Sequence, residues 1–261
     1  MIGPDFSQLT KIEPLKSLRW HYGKSGGRNN QGRITSSHRG GGVKRAYRFI
    51  DFRQDKINVP ATVFSIEYDP NRSSRIARLH FADGGKTYIL AAEGVKAGDI
   101  LIVSEKAPLK PGNRMKLKNI PQGSIVHNVE FFPGGGGKMV RSAGSGATVL
   151  ASEGGYVQLV MPSSETRMVS EECYASIGNI SNSEHSSVVS GKAGRSRWLG
   201  IRPKVRGTAM NPVDHPHGGG EGRQGRGTRR PKTATGRITG GVKTRNRKNK
   251  TNKFIIRRRI K

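Results

Sequence analysis

The stretch Asp214-His215-Pro216-His217, with Glu221 just beyond, is where residue types and spacing in this sequence come closest to site chemistry. Histidines at i and i+2 of an extended chain point to the same side, and the flanking carboxylates suggest either a divalent-metal site or a hydrolytic His–Asp pair. Structural zinc favours four ligands that include thiolates, and the sequence has a single cysteine, Cys173. A hydrolase needs a nucleophile, and none can be assigned in this glycine-rich, cationic neighbourhood. The reading that remains is a loop whose imidazoles hydrogen-bond ribose and phosphate, set against a plain turn with two solvated histidines. No catalytic residue and no metal ligand are assigned. Asp214 is expected to fix the tautomer of His215, and His215 itself is expected to add little to folding.

Two other stretches imitate phosphate loops. Gly23-Lys24-Ser25 ends like one, but the leading glycine would fall at Leu18; Gly134–Lys138 is followed by Met139 where a metal-binding hydroxyl is required, and its leading position is Phe132. Each lacks a part the chemistry needs, so nucleotide hydrolysis is excluded. A different pattern runs from Ser25 to Arg45. Arg28, Asn29, Asn30 and Arg33 mix cations with amides and glycines, and His38, Arg39, Lys44 and Arg45 surround three consecutive glycines. Arginine offers bidentate contacts to phosphate and planar stacking on bases. A merely charged surface has no need of glycines among its cations, so this is read as an RNA contact.

The charge that would position such contacts is segregated. The 261 residues carry 47 Lys and Arg against 18 Asp and Glu, a net charge of +29. Residues 1–48 hold 10 cations and 2 acids, residues 49–190 hold 15 and 14, and residues 191–261 hold 22 and 2. An excess of this size calls for a polyanionic partner. A membrane surface usually requires a basic amphipathic helix or a lipid anchor, and neither is present. No apolar run approaches a membrane span, and the opening Met1–Phe6 lacks the pattern of a signal peptide. A lone cysteine forms no intrachain disulfide, which fits a reducing compartment, and Cys173 is read as a buried structural thiol.

The nearly neutral middle carries the core. Ala77, Leu79 and Phe81 alternate with Arg78 and His80, Asp83-Gly84 supplies a turn, and Lys86–Leu90 follows as the partner strand. Further short runs at 46–52, 61–68, 99–103, 124–131, 147–151, 156–161, 166–169 and 173–177 recur with Gly, Pro or Asp between them. That pattern predicts small β-barrels or a sandwich, with an internal boundary at Lys110-Pro111-Gly112-Asn113. Residues 191–261 contain 13 glycines and show no periodicity. Alone they bury too little apolar surface to offset the entropy of ordering, so the middle is expected to fold by itself and the basic ends to order on RNA.

Taken in order, several strings resemble the universal large-subunit ribosomal protein family often called L-two. They include Gly27–Thr35, Arg39–Lys44, Ile66–Ser73, Tyr88–Ala91, Asn119–Pro121, Val126–Asn128, Gly191–Arg195, Arg197-Trp198, Arg202–Gly207 and, most specific, Ala209–Arg223. The resemblance spans nearly the whole chain. It departs from the family pattern at the opening before Phe6, which is shorter than the usual bacterial form, and at Arg230–Gly236.

The resemblance implies an all-β fold: an OB-fold-like barrel followed by an SH3-like barrel, with long basic irregular extensions. Its organisation would be a basic N-terminal extension over 1–35, an OB-fold-like domain over 36–110, an SH3-like barrel over 111–190, and a glycine-rich extension over 191–261 that threads into rRNA. It further implies a structural constituent of the large subunit that supports subunit association, tRNA positioning and the peptidyl transferase centre, the chemistry being that of rRNA. Its rRNA contacts would be Arg28, Asn29, Asn30, Arg33, His38, Arg39, Lys44, Arg45, Arg72, Lys192, Arg195, Arg197, Trp198, Arg202, Lys204, Arg206, Asn211, His215, His217, Arg223, Lys243 and Arg245. The loop near the peptidyl transferase centre would comprise Asp214, His215, His217, Gly218, Gly219, Gly220 and Glu221. Partners would be large-subunit rRNA, neighbouring large-subunit proteins and the small subunit, without membrane or small-molecule substrate, and with Mg2+ only as it accompanies rRNA. The strings look bacterial in type, which implies a bacterial cytoplasm or, alternatively, an organelle matrix or stroma. The competing classes are a condensing basic protein, which would spread its charge more evenly, and an RNA-processing enzyme, which would cluster its carboxylates.

Overall fold

The computed structural model describes residues 3–259. The chain divides into two compact units. One takes the residues up to Gly23, Lys44–Gly191 and the residues from Thr251 onward; the other takes Lys24–Val43 and Lys192–Lys250.

The first unit is built of strands. β1 (Arg19–Trp20) and β2 (Tyr47–Arg48) form a short antiparallel ribbon. β3 (Ala61–Glu67), β4 (Ile76–Phe81), β5 (Lys86–Leu90) and β6 (Ile100–Leu101) form an antiparallel sheet in the order β5-β4-β3-β6. Next in the chain come β7 (Arg114–Lys116), β8 (Ile125–His127), β9 (Val129–Glu130), β10 (Gly137–Met139), β11 (Ala147–Glu153), β12 (Tyr156–Val160), β13 (Thr166–Ser170) and β14 (Tyr174–Ile177). A final strand, β15 (Ile255–Arg257), returns from the far end of the sequence. Seven of these make one sheet in the order β15-β13-β12-β11-β8-β14-β7, and β9 and β10 pair separately.

Period-two patterning decides which side chains meet. Ala61, Val63, Ala77, Leu79, Ile89 and Leu101 turn inward and form the core of the four-stranded sheet. The bulge between Val63 and Ser65 shifts the register, so Ile66 rather than Ser65 joins that core. The Asp83-Gly84 signal is a tight connection between β4 and β5: Gly84 adopts φ +82°, and the Phe81 N–H donates to the Gly85 carbonyl at 2.8 Å. A second core gathers Met115, Leu117, Val126, Val129, Val149, Val157, Leu159, Cys173 and Ala175. Burial pushes the Cys173 thiol up to about 12, which leaves an inert, structural group.

The expected run 124–131 is two strands. Asn128 sits between them at φ +47°, a left-handed conformation that asparagine tolerates, and the chain changes partners there. β1, β7, β10 and β15 are too short to show a period and were not legible as strands. Beneath the second sheet lies a buried ion pair. Arg114 Nη2 donates to Glu130 Oε1 at 3.1 Å, and neither side chain is more than 3% exposed. Burial pushes the Arg114 pKa down, and Glu130 raises it again. Arg114 Nη1 also donates to the Asn128 carbonyl at 2.8 Å, while Glu130 Oε2 accepts the N–H groups of Gly134 and Tyr174.

Candidate nucleic-acid interface

The second unit contains 21 Lys and Arg and two carboxylates, Asp214 and Glu221. Its order comes from backbone hydrogen bonds rather than from an apolar core. The sequence reading treats its two segments as separate basic ends; the structure joins them. The Gly40 N–H donates to the Gly200 carbonyl at 2.8 Å, that of Val43 to Trp198 at 2.9 Å, and that of Arg202 to His38 at 2.9 Å. His38 adds a bond from Nδ1 to the Pro203 carbonyl at 3.1 Å. The glycines expected at close approaches are used that way: a Cβ on Gly42 would lie 2.6 Å from the Trp198 carbonyl oxygen and 2.7 Å from the Gly200 nitrogen.

Around this seam the N-terminal segment folds on itself. Asn29 Oδ1 accepts the N–H groups of Gln31 and Arg33 at 3.0 and 2.9 Å, an Asx-type turn that leaves Arg28, Asn30 and Arg33 exposed. Asn29 is therefore a turn-maker. α1 (Ala193–Trp198) is the α-helix among the described residues; it has no buried residue and ends in Arg195 and Arg197. The Lys192 ammonium lies 5.1 Å from the centre of the Trp198 ring, and that ring is 57% exposed.

The histidine loop is a built object. The N–H groups of Asp214 and His215 donate to the Asn211 carbonyl, and that of Gly218 to His215 at 2.8 Å. His215 Nδ1 accepts the His217 N–H at 3.0 Å, so the proton of the neutral ring sits on Nε2. His217, buried, accepts the Lys232 N–H at its own Nε2 at 3.1 Å, which places its proton on Nδ1. Burial, then His215, Arg226 and Lys232, hold the His217 pKa below the usual histidine value. The expected role of Asp214 is thus corrected: its carboxylate makes no hydrogen bond to the described residues, and a backbone amide sets the tautomer. The His215 ring packs directly on Gly207, where a Cβ would stand 2.5 Å from Nδ1. No group of three or more His, Cys, Asp or Glu that could hold a metal ion is found among the described residues.

The chain matches two family models, "Ribosomal Proteins L2, RNA binding N-terminal domain" over residues 15–103 and "Ribosomal Proteins L2, C-terminal domain" over residues 110–236. It belongs to the ribosomal protein L2 family. It is accordingly a large-subunit, RNA-binding ribosomal protein, and its strand-dominated fold is consistent with an OB-fold-like barrel followed by an SH3-like barrel.

Within this L2 chain the remaining candidate residues fall into three groups. Arg39, Lys192, Arg197, Arg202, Lys204, Arg206, Asn211, Arg223, Lys243 and Arg245 are exposed on the second unit, and Arg195 is half-buried there. Lys44, Arg45 and Arg72 belong to the first unit. Arg45 donates to the Pro70 carbonyl, and Arg72 Nε binds the buried Asp69 carboxylate at 2.6 Å. The third group is the loop, where Gly218 and Gly219 are half-buried against Asn211 and Pro212 while Gly220 and Glu221 are exposed. Three amides of the glycine quartet at 134–137 are spent internally: Gly134 donates to Glu130, Gly135 to Phe132 and Gly137 to Phe52. Sequence reasoning missed a set of exposed aromatic residues, Trp20, Tyr22 and Phe49. Their signal was present as alternation of aromatic and basic residues in Arg19-Trp20-His21-Tyr22.

Proposed function

We propose that this L2 protein is a primary rRNA-binding constituent that supports subunit association, tRNA placement and the architecture of the peptidyl transferase centre, while rRNA carries out the chemistry. The observation that carries the reading is the second unit, with 21 cations, two carboxylates and a backbone already folded into turns. Its basic residues, from Arg28 to Arg245, meet phosphates. His215 offers an Nε2–H donor of fixed tautomer to a ribose or phosphate oxygen. On this reading residues 36–110 and 111–190 form the two barrels, and 1–35 and 191–261 are RNA-contacting extensions. Neighbouring large-subunit proteins and the small subunit are the protein partners, Mg2+ enters only with the rRNA, and the setting is a bacterial cytoplasm or an organelle.

Co-sedimentation with intact large subunits after a high-salt wash tests the assignment; release into the supernatant with no defect in the remaining subunits would overturn it. The structural role of His215 is tested by single-turnover peptide transfer on purified His215→Ala ribosomes. Impaired assembly, subunit joining or tRNA placement is expected. Fully assembled subunits with normal tRNA binding and abolished peptide transfer would return catalysis to this histidine.

A further inference from the structure

Four aromatic residues gather at the β1–β2 ribbon. The ribbon is antiparallel with Trp20 opposite Tyr47, and Tyr22 and Phe49, just beyond the two strands, are gathered to the same place by their contacts with Tyr47. Tyr22 meets Tyr47 at 5.3 Å and 69°, and Tyr47 meets Phe49 at 5.7 Å and 87°. These are edge contacts, so no two of the rings consume each other's faces by stacking. Trp20 is 57% exposed, Tyr22 58% and Phe49 45%. No ring or cation packs on the Trp20 indole among the described residues. An apolar face of this kind on a monomeric surface marks an interaction site.

The surroundings specify the partner. The Arg72 guanidinium lies 5.9 Å from the Tyr47 ring centre and 5.7 Å from that of Phe52, and Arg141 lies 4.4 Å from Phe52. Arg19 and Arg48 form the neighbouring register pair, and their side chains leave from the opposite face of the ribbon. Open aromatic faces interleaved with guanidinium groups fit the combination that binds unpaired nucleotides, since bases stack on the rings and phosphates meet the cations. An aliphatic protein surface would leave those guanidinium groups unanswered, and an acidic one would leave the aromatic faces without a stacking partner.

We infer that the β1–β2 ribbon is a sequence-tolerant stacking platform for single-stranded RNA, with Trp20 and Tyr22 as the base-stacking residues. The inference rests on the rRNA-binding reading and adds to it a site for unpaired bases on the first unit. The sequence has two tryptophans, so a full-length Trp198→Phe protein carries Trp20 as its sole indole. That protein is titrated with a single-stranded oligoadenylate of about ten nucleotides, within the usual site sizes, and with a GC-rich duplex of equal phosphate number. The oligoadenylate should quench Trp20 emission and the duplex should not. Trp20→Ala and Tyr22→Ala should each weaken oligoadenylate binding by about five- to 150-fold, the range of one lost stacking partner. Duplex affinity and salt dependence should stay unchanged, and Trp20→Phe should retain most of the binding.

Equal losses for single strand and duplex, with a lowered melting temperature, would show that the ribbon supports folding and would overturn the platform. Unchanged oligoadenylate affinity would also overturn it. So would a change confined to self-association in sedimentation, which would make the face a contact between copies. Failure of the unsubstituted protein to bind either RNA would instead overturn the rRNA-binding reading on which the platform rests.

Discussion

Replacing Glu130 with Gln should be the most damaging conservative change in the first unit. The substitution keeps volume and one carbonyl oxygen, but removes the counter-charge of Arg114, whose side chain is fully buried. The surviving oxygen can accept the N–H groups of Gly134 and Tyr174, which turns the new amide hydrogens toward the guanidinium. Removing one partner of a buried pair typically costs about 3–5 kcal/mol, a large share of a stability that is usually about 5–15 kcal/mol. With a urea slope of about 2 kcal/mol/M, the midpoint should fall by roughly 1.5–2.5 M. The decisive assay is a double-mutant cycle with Arg114→Met. That side chain has no charge to strand, so the double variant should be more stable than Glu130→Gln alone, with a coupling energy above about 1 kcal/mol. A cost below about 1 kcal/mol for Glu130→Gln, or strictly additive effects, would refute the claim that the pair stabilises through mutual neutralisation.

The other predictions concern pH and glycine. His127 is fully buried, with its pKa lowered to about 4 by burial and partly restored by its bond to the Gly178 carbonyl. The unfolded chain therefore takes up a proton near pH 6.5 that the folded chain refuses. Stability is fully present above pH 6.5 and falls by about 1.4 kcal/mol per pH unit down to pH 4. His127→Gln should remove that component from urea titrations at several pH values, and identical slopes would contradict it. Gly137→Ala should destabilise by about 1–3 kcal/mol, because the new methyl overlaps the Asn128 side chain. Gly134→Ala meets nothing within 4 Å and carries only the strain of φ +71°, about 1 kcal/mol; thermal melts showing the reverse order would be decisive against this ranking. Gly207→Ala should displace the His215 ring and break the Nδ1 bond. Ring-nitrogen NMR should then lose the single Nε2–H tautomer, and an unchanged spectrum would count against the described packing.

The strands of the four-stranded sheet were legible because their apolar residues face one core, and alternation records that directly. The hairpin at Asp83-Gly84 was legible because the residue types prescribe the turn. The seam between His38–Val43 and Trp198–Pro203 was not. It is made of main-chain bonds between glycine-rich segments, which leave no side-chain period behind. Arg114 and Glu130 were equally silent, since each looks like an ordinary surface charge until the fold brings them together. The loop around His215 was recognisable by its residues, yet its tautomer depends on an amide two residues on rather than on the adjacent carboxylate.

The return of Ile255–Arg257 to the edge of the seven-stranded sheet, against Thr166 and Arg167, has a topological consequence. Residues 192–250 are thereby a loop held at both ends, not a tail with a free tip. A free tip can pass through a ring of RNA that has already closed; a tethered loop cannot. An RNA ring that encloses this segment would have to close around it while the strand is docked, or the strand would have to detach, let the chain pass and dock again. The three residues of β15, paired on one side only among the described residues, act as the clasp of that loop.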